Sequence, residues 1–178
     1  MILDDLAAHA RERVSFSKQK ISMDAIQKMA FSIPKGPDPF FGRLNQDGIS
    51  FICEVKKASP SKGIIAPDFP YLQIAKEYES AGADCISCLT EPQWFLGSDS
   101  IFREIRRNVS LPMLRKDFIV EEYQLYESKC MGADAILLIC ALLDTATISR
   151  YLSICHTLGI SALVEAHNTA EIESAVAA

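Results

Sequence analysis

Short apolar runs and helical patterns alternate along most of the chain. Continuously apolar runs are typical of strands that are buried on both faces. Five such runs occupy residues 51–53, 85–89, 112–114, 135–139 and 161–164. Between them, apolar residues recur at helical spacing over residues 71–81, 100–108, 121–131 and 145–157, and a further helical pattern begins at residue 169. The pattern therefore predicts strands and helices in alternation.

The first 48 residues follow a different pattern. Apolar residues recur at helical spacing from Leu3 to Val14, and we expect Ser22 to cap a second helix. Prolines and a glycine between residues 34 and 39 interrupt this pattern, and a short apolar element and a polar turn follow at residues 40–48. We therefore predict two parts, a helical extension over residues 1–48 and a strand–helix repeat over residues 49–178.

Each helical pattern tends to end in a glycine, and a strand-like run follows at once. Gly82, Gly132 and Gly159 occupy these positions, where a left-handed residue ends a helix. Strands that are joined through helices by such short turns run parallel, so the predicted fold class is α/β. A doubly wound sheet usually carries a Gly-rich phosphate loop after its first strand, but residues 56–63 contain no GxGxxG pattern.

Polar residues repeatedly follow the predicted strands, which is typical of a barrel whose active site gathers at the C-terminal strand ends. These residues are Glu54 and Lys56, Thr90 and Glu91, Lys116 and Asp117, and Glu165 and Asn168. We therefore favour a (β/α)8 TIM barrel. Five units do not close a barrel of eight, and three more would need about 80 residues. We expect a barrel cut after strand five, with an open edge that invites self-association and negligible activity on its own.

Composition narrows the classes of function. Of the 178 residues, 49% are hydrophobic and 23% charged, which suits a folded domain. The net charge of -5 argues against a general nucleic-acid binder, whose binding face is usually basic. No stretch approaches the roughly 20 apolar residues of a membrane span. Asp4 and Asp5 also stand where a signal peptide would be basic. We expect a cytoplasmic protein with no membrane partner.

The six cysteines lie mostly inside apolar runs, which predicts reduced thiols that pack as small hydrophobic residues. Cys85 and Cys88 form a CxxC pattern, but residues i and i+3 of a strand point to opposite faces. We therefore do not expect them to share a metal ion, and the sequence contains no evident cluster of metal ligands.

Four charged residues at strand ends carry the candidate chemistry. Glu54 and Lys56 are two residues apart in extended chain, so they face the same way. They are either an acid–base pair at a barrel mouth or a buried structural ion pair. Lys116 ends the third run and Glu165 the fifth. Together these two acids and two cations would suit acid–base chemistry on an anionic substrate. The alternative for Lys116 is a solvated strand-end lysine.

Aromatic and histidine residues near the strand ends give weaker signals. Trp94, Phe95 and Phe118 lie just beyond strands and could form an apolar pocket for an aromatic ring, or simply pack their loops. His9 and His156 fall in helical patterns. His167 follows Glu165 by two residues and is nearer the candidate site.

Five segments in order carry a resemblance to one family. Residues 54–63, Glu-Val-Lys-Lys-Ala-Ser-Pro-Ser-Lys-Gly, closely resemble the signature of indole-3-glycerol phosphate synthases. The other four segments are residues 89–91 with 95–98, residues 114–120, residues 132–139 and residues 163–168. The N-terminal helices also suit the extension that precedes the first strand in this family. The resemblance covers essentially the whole chain and implies the TIM-barrel fold.

The resemblance implies a reaction without cofactor or metal. In that reaction, 1-(2-carboxyphenylamino)-1-deoxyribulose 5-phosphate closes to an indole and loses carbon dioxide and water. Lys116 would be the general acid for ring closure, and Glu165 the acid–base group in dehydration. Lys56 would pair with substrate anions and Glu54 would position the lysines. The substrate-binding residues would be Ser59, Phe95, Phe118 and Leu138, the last three lining the anthranilate pocket.

Two other hypotheses remain open at this point. One is another phosphate-handling barrel enzyme, against which the Glu54–Lys56 and Lys116–Phe118 motifs speak. The other is a non-catalytic scaffold. The family also places an asparagine on its sixth strand and phosphate-binding loops after its seventh and eighth strands, and these 178 residues hold no counterpart. We therefore expect the phosphate-binding site to be incomplete in these residues.

Overall fold

Three helices open the chain in the computed structural model, which describes residues 2–178. They are α1 (Ile2–Lys20), α2 (Met23–Ser32) and α3 (Pro39–Leu44). As predicted, Ser22 caps α2, because its hydroxyl oxygen accepts a hydrogen bond from the Ala25 N–H. Asp38 caps α3 in the same way, and Pro39 at the first helical position has no N–H that needs a partner.

Strands and helices then alternate as the apolar pattern predicts. The elements are β1 (Ile52–Val55), β2 (Ala58–Ser59), β3 (Gly63–Ile64), α4 (Tyr71–Ser80), β4 (Cys85–Leu89), α5 (Asp99–Asn108), β5 (Met113–Lys116), α6 (Tyr123–Met131), β6 (Ala135–Ile139), α7 (Thr145–Leu158), β7 (Ser161–Glu165) and α8 (Thr169–Ala177). The antiparallel pair of β2 and β3 was not predicted. Gly82, Gly132 and Gly159 all have the positive φ angles expected after a helix.

The chain divides into two compact units. The first-strand unit comprises residues 38–117 and 131–135, and therefore holds β1 to β5. The extension unit comprises the chain up to Pro37 together with residues 118–130 and 136–178. In the first-strand unit, β4 lies between β1 and β5, and β2 pairs with β3 in a separate small sheet. In the extension unit, β6 lies next to β7.

The parallel sheet of the first-strand unit has two different faces. In register, Ser87 of β4 lies opposite Glu54 of β1 and Leu114 of β5, so these three side chains share one face. The other face packs on α4 and α5 through a cluster that includes Ile86, Cys88, Met113, Ala75, Phe102 and Ile105. We call this the helix-facing side.

The opposite side of that sheet, which we call the inner side, has its own small core. Phe40 of α3 packs there with Cys85, Leu114 and Ala135. Cys85 and Cys88 therefore belong to different clusters, which confirms that the CxxC pattern spans both faces of a strand. Burial raises the pKa of Cys85 to about 11 and that of Cys88 to about 12, so both remain protonated thiols at neutral pH.

The extension unit is built around one large cluster. Val14 of α1 and Ile26 of α2 join residues of α6, β6 and α7, among them Tyr126, Leu138 and Ile148. The Tyr123 hydroxyl donates to the backbone oxygen of Ile21, and Lys18 forms an ion pair with Glu121. Helices α1 and α2 are therefore an integral part of this core.

Two properties of the described residues bear on function. Among residues 2–178, no helix is long and apolar enough to cross a membrane. In the same part of the chain, no group of three or more histidine, cysteine or acidic residues is arranged to hold a metal ion.

Candidate active site

The sheet register brings three predicted site residues to one face of the first-strand unit. Glu54 shares the inner side with Ser87 and Leu114, and Lys116 lies two residues beyond Leu114. Lys56 lies two residues beyond Glu54 along the extended chain. Because side chains alternate along a strand, Glu54, Lys56 and Lys116 all project to the inner side. All three stand at the C-terminal ends of parallel strands, the edge where barrels gather their active sites.

Glu54 and Lys56 form a direct ion pair. The Lys56 Nζ atom lies 2.5 Å from Glu54 Oε1, and each side chain is about one-third exposed (32% and 31%). The Ser87 hydroxyl donates to the second carboxylate oxygen at 3.5 Å, and the Tyr78 hydroxyl donates to the Glu54 backbone oxygen. The pair therefore remains reachable from solvent while both of its members are held in place.

Lys116 is the last residue of β5 and is half-buried. Its backbone oxygen accepts a hydrogen bond from the Thr90 N–H at 3.1 Å, so the strand ends of β4 and β5 are tied at this level. Opposite Lys116 in the register lies Leu89, the last residue of β4. The lysine therefore emerges from a fixed backbone at the rim of the sheet.

The neighbours of Lys116 have a different role, because they lie on the helix-facing side. Thr90 donates to Asp117 Oδ2 at 2.6 Å, and the Arg115 Nε–H donates to the Thr90 hydroxyl oxygen at 3.3 Å. Arg115 also reaches Asp99 in the first turn of α5 at 3.4 Å. Thr90, Arg115 and Asp117 are fully buried. Unpaired buried charges are costly. We therefore interpret this network as a structural one that stabilises the strand ends.

Ser59 and Phe95, the other predicted site residues of this unit, lie in loops that contact each other. Ser59 is part of β2, and the adjacent Ala58 N–H donates to the Phe95 backbone oxygen at 3.2 Å. Glu91 accepts hydrogen bonds from three backbone N–H groups in the loop that carries Phe95. The sequence marked Glu91 as a strand-end polar residue, but not as the organiser of this loop.

In the extension unit, Glu165 ends β7. Ala162 and Val164 pack against the large cluster of the extension unit. Because side chains alternate along a strand, Glu165 projects from the other face of β7. Its backbone oxygen accepts a hydrogen bond from the Cys140 N–H at 3.0 Å. The His167 ring also lies near, with Nε2 at 3.7 Å from Glu165 Oε1. The half-buried Glu165 therefore occupies a strand end on the face away from the helices.

Phe118 sits in a segment that a buried glutamine holds. The Gln124 side-chain amide donates to the Phe118 backbone oxygen at 2.9 Å, and its Oε1 accepts from the N–H groups of Val120 and Glu121. Phe118 itself is half-buried. This arrangement fixes the backbone that follows β5.

Leu138, which the resemblance implies as a substrate-binding residue, packs against helices in this structure. Leu138 is fully buried in the large cluster of the extension unit, together with Leu125, Ile148 and Tyr151. Ala135, three residues earlier on the same strand, belongs to the inner cluster. Alternation from Ala135 therefore places Leu137, and not Leu138, on the inner side of β6.

Each unit thus presents ionisable side chains at C-terminal strand ends. In the first-strand unit these side chains lie on the sheet face opposite α4 and α5. This arrangement defines the class of a parallel α/β-barrel enzyme. Solved structures agree with the class. A mandelate oxidase variant bound to (S)-mandelic acid matches with a TM-score of 0.54 at 11% identity, covering 79% of this chain and 49% of that chain. MenC from Desulfotalea psychrophila matches with a TM-score of 0.50 at 14% identity, covering 96% and 47%. Both are TIM-barrel enzymes, and these likenesses concern the fold alone.

Sequence comparison identifies the family. The profile of indole-3-glycerol phosphate synthase matches residues 3–178. The synthase of Ruminiclostridium cellulolyticum is 49% identical over 179 aligned residues, covering 100% of this chain and 69% of that protein. The synthase of Endomicrobium trichonymphae is 50% identical, with the same coverage. The chain belongs to the indole-3-glycerol phosphate synthase family, a family of carboxy-lyases in tryptophan biosynthesis.

Proposed function

We propose that this chain, within a barrel of full length, closes 1-(2-carboxyphenylamino)-1-deoxyribulose 5-phosphate to indole-3-glycerol phosphate, with release of carbon dioxide and water. The 178 residues alone are expected to have negligible activity. The observation that carries the assignment of residues is the shared face of Glu54, Lys56 and Lys116 at the C-terminal strand ends. Family membership supports the reaction and a phosphorylated small-molecule substrate.

Lys116 is the proposed general acid for ring closure. An ammonium group at a strand end can donate a proton to the substrate carbonyl as the new carbon–carbon bond forms. Its half-buried position beside the inner side of the sheet removes some competing water, which strengthens charge–charge interactions with an anionic substrate. Lys56, held by Glu54, pairs with the substrate carboxylate and assists proton transfer.

Glu165 is the proposed acid–base group of the dehydration step. A carboxylate can remove a carbon-bound proton, and in its protonated form it can assist the departure of a hydroxyl group as water. Ser59, Phe95 and Phe118 are proposed to bind the substrate, and the rings of Phe95 and Phe118 each offer an apolar surface to the anthranilate group. We propose Leu137, on the opposite face of β6 from Leu138, for the binding role that the resemblance implies for Leu138.

Replacing Lys116 tests the proposal directly. In a barrel of full length, we expect Lys116→Ala to lower kcat at least about 100-fold, because loss of a general acid typically costs 100- to 10,000-fold. Glu165→Gln should have an effect of the same order. Lys76→Ala and Glu173→Gln, which change exposed helical residues, are the matched controls. Indole formation at the unaltered rate by Lys116→Ala would remove Lys116 from the mechanism.

The net charge and the exposed strand edge support proposals about the location and the partners of the protein. We propose a cytoplasmic enzyme with no nucleic-acid partner, since the net charge is -5. We also propose that the chain self-associates through the edge strand β1, beside which Ile49 and Phe51 are largely exposed.

A further inference from the structure

Glu91 carries a carboxylate that is fully buried. It follows directly on β4 and is 0% exposed. An ionised carboxylate is costly to bury unless hydrogen bonds compensate for the lost water. Glu91 Oε1 accepts from the Gln93 N–H at 2.9 Å, and Oε2 accepts from the N–H groups of Trp94 at 2.7 Å and Phe95 at 3.0 Å. One side chain therefore fixes three consecutive backbone groups.

The backbone beyond these donors is folded tightly back onto β4. The Gly97 N–H donates to the Glu91 backbone oxygen at 2.8 Å. A Cβ atom on Gly97 would lie 2.2 Å from the Leu89 backbone oxygen, so only glycine fits there. Leu96 adopts a positive φ of 53°, which is uncommon for a residue other than glycine. Such strain persists only where surrounding contacts enforce the conformation.

The loop that Glu91 holds carries the ring of Phe95 and touches the segment of Ser59. The Phe95 backbone oxygen accepts a hydrogen bond from the Ala58 N–H at 3.2 Å. Ser59 is the next residue. Any shift of the Phe95 backbone would therefore be transmitted to the loop after β1. The positions of Phe95 and Ser59, the two proposed substrate-binding residues of this unit, are coupled through this hydrogen bond.

We infer that Glu91 is a positioning residue for the pocket that binds the anthranilate ring. It acts through the backbone of Phe95, and through Ala58 on Ser59, and it takes no part in proton transfer. This inference rests on the proposed function, because it assigns Glu91 a role in binding the aromatic part of that substrate.

The test replaces Glu91 with glutamine, which keeps the shape but substitutes an NH2 donor for one acceptor oxygen. An amide nitrogen facing backbone N–H groups loses at least one of the three hydrogen bonds. In a barrel of full length, we expect Glu91→Gln to raise the KM about tenfold with less than a threefold change in kcat. Competitive inhibition by anthranilate should weaken about tenfold, while inhibition by inorganic phosphate should stay unchanged.

Trp94 offers a second readout, because it is the single tryptophan of the chain. Its emission reports on the very loop that Glu91 organises. We expect acrylamide to quench Trp94 more strongly in Glu91→Gln than in the unaltered protein. Glu91→Asp keeps the charge on a shorter side chain and should give intermediate values. Glu173→Gln is the control for a carboxylate lost from an exposed position.

The outcomes separate the possibilities. An unaltered KM and unaltered Trp94 quenching in folded Glu91→Gln would overturn the inference, and so would a kcat that falls as much as the KM rises. A merely structural role would lower the Tm and leave the KM and the anthranilate inhibition of the folded protein unchanged. If Glu91→Gln does not fold, Glu91→Asp is judged by the same criteria. Failure of the unaltered barrel of full length to form indole-3-glycerol phosphate would instead refute the proposed function itself.

Discussion

A displacement of one residue along a strand decides what a side chain can do in this molecule. Lys116 projects to the inner side of its sheet, whereas Arg115 and Asp117 on either side of it point to the helices. The latter two are fully buried in a network with Thr90. The central residue of this charged triplet therefore lies on the face that carries Glu54, and its neighbours stabilise the strand end that presents it.

The same one-residue rule leads to a test on β6. Both Leu137 and Leu138 are buried, so replacement of either by alanine should lower the free energy of unfolding by about 2–5 kcal/mol. We expect only Leu137→Ala to raise the KM of the folded protein, several-fold, because only Leu137 lies on the inner side. Chemical denaturation and steady-state kinetics measure the two effects. An increase in KM confined to Leu138→Ala would reverse our assignment.

The sequence could not distinguish these two leucines. Residues 135–139 of β6 are five consecutive apolar residues, and all five are buried. A strand that is covered on both faces carries no alternation between apolar and polar positions, so its facing cannot be predicted from the pattern. In β1 the charged Glu54 and Lys56 supplied that alternation, and their predicted shared orientation is confirmed by their contact.

At the scale of elements, helices with clear ends were the most predictable. Gly159 ends α7 with a φ of 68°, and Ser22 starts α2, both as expected from residue type alone. The pair of β2 and β3 was missed because each strand has two residues and β3 is exposed, which leaves no periodicity to detect. The loop after β4 was missed as a unit, because its order comes from the side chain of Glu91.

Glu79 near the end of α4 gives a pH-dependent prediction. Its Oε1 accepts from both the N–H and the hydroxyl of Ser110, and these hydrogen bonds lower the pKa of the carboxyl below its usual value of 4.5. A lowered folded-state pKa adds stability above the unfolded pKa, and this stability is lost as the pH falls through the folded pKa.

We therefore expect Glu79→Gln to be less stable than the unaltered protein at pH 7, by about 1 kcal/mol after allowance for its partial exposure. The difference should shrink below pH 4.5 and vanish once the carboxyl is protonated. Urea denaturation at a series of pH values measures it, with Glu173→Gln as the exposed control. A difference that stays constant from pH 7 to pH 3 would contradict this role for Glu79.

At the scale of the whole molecule, each compact unit contributes its own part of the proposed chemistry. Glu54, Lys56 and Lys116 belong to the first-strand unit, and Glu165 belongs to the extension unit. The N-terminal helices supply Val14 and Ile26 to the core of the latter. The extension is therefore part of the scaffold on which Glu165 stands, and its removal would expose that core.

The edge of the first-strand unit carries the last prediction. Strand β1 is the end strand of its sheet and pairs with β4. Beside it, Ile49 is 83% exposed and Phe51 60% exposed. An exposed strand edge with apolar side chains can pair with another chain, and a second copy of this chain presents the same edge. Antiparallel pairing of two such edges would close a two-fold dimer.

We expect sedimentation equilibrium to show dimers whose proportion rises with protein concentration. Ile49→Lys should shift this equilibrium toward the monomer about tenfold, because a charge on the edge opposes pairing by repulsion and by the cost of burying it. Phe16→Lys changes a residue of α1 that is 64% exposed and serves as the matched control. Equal weakening by both substitutions would indicate unspecific association. A monomer at every concentration would refute self-association through β1, and the edge would then be protected by its own twist or by its flanking side chains.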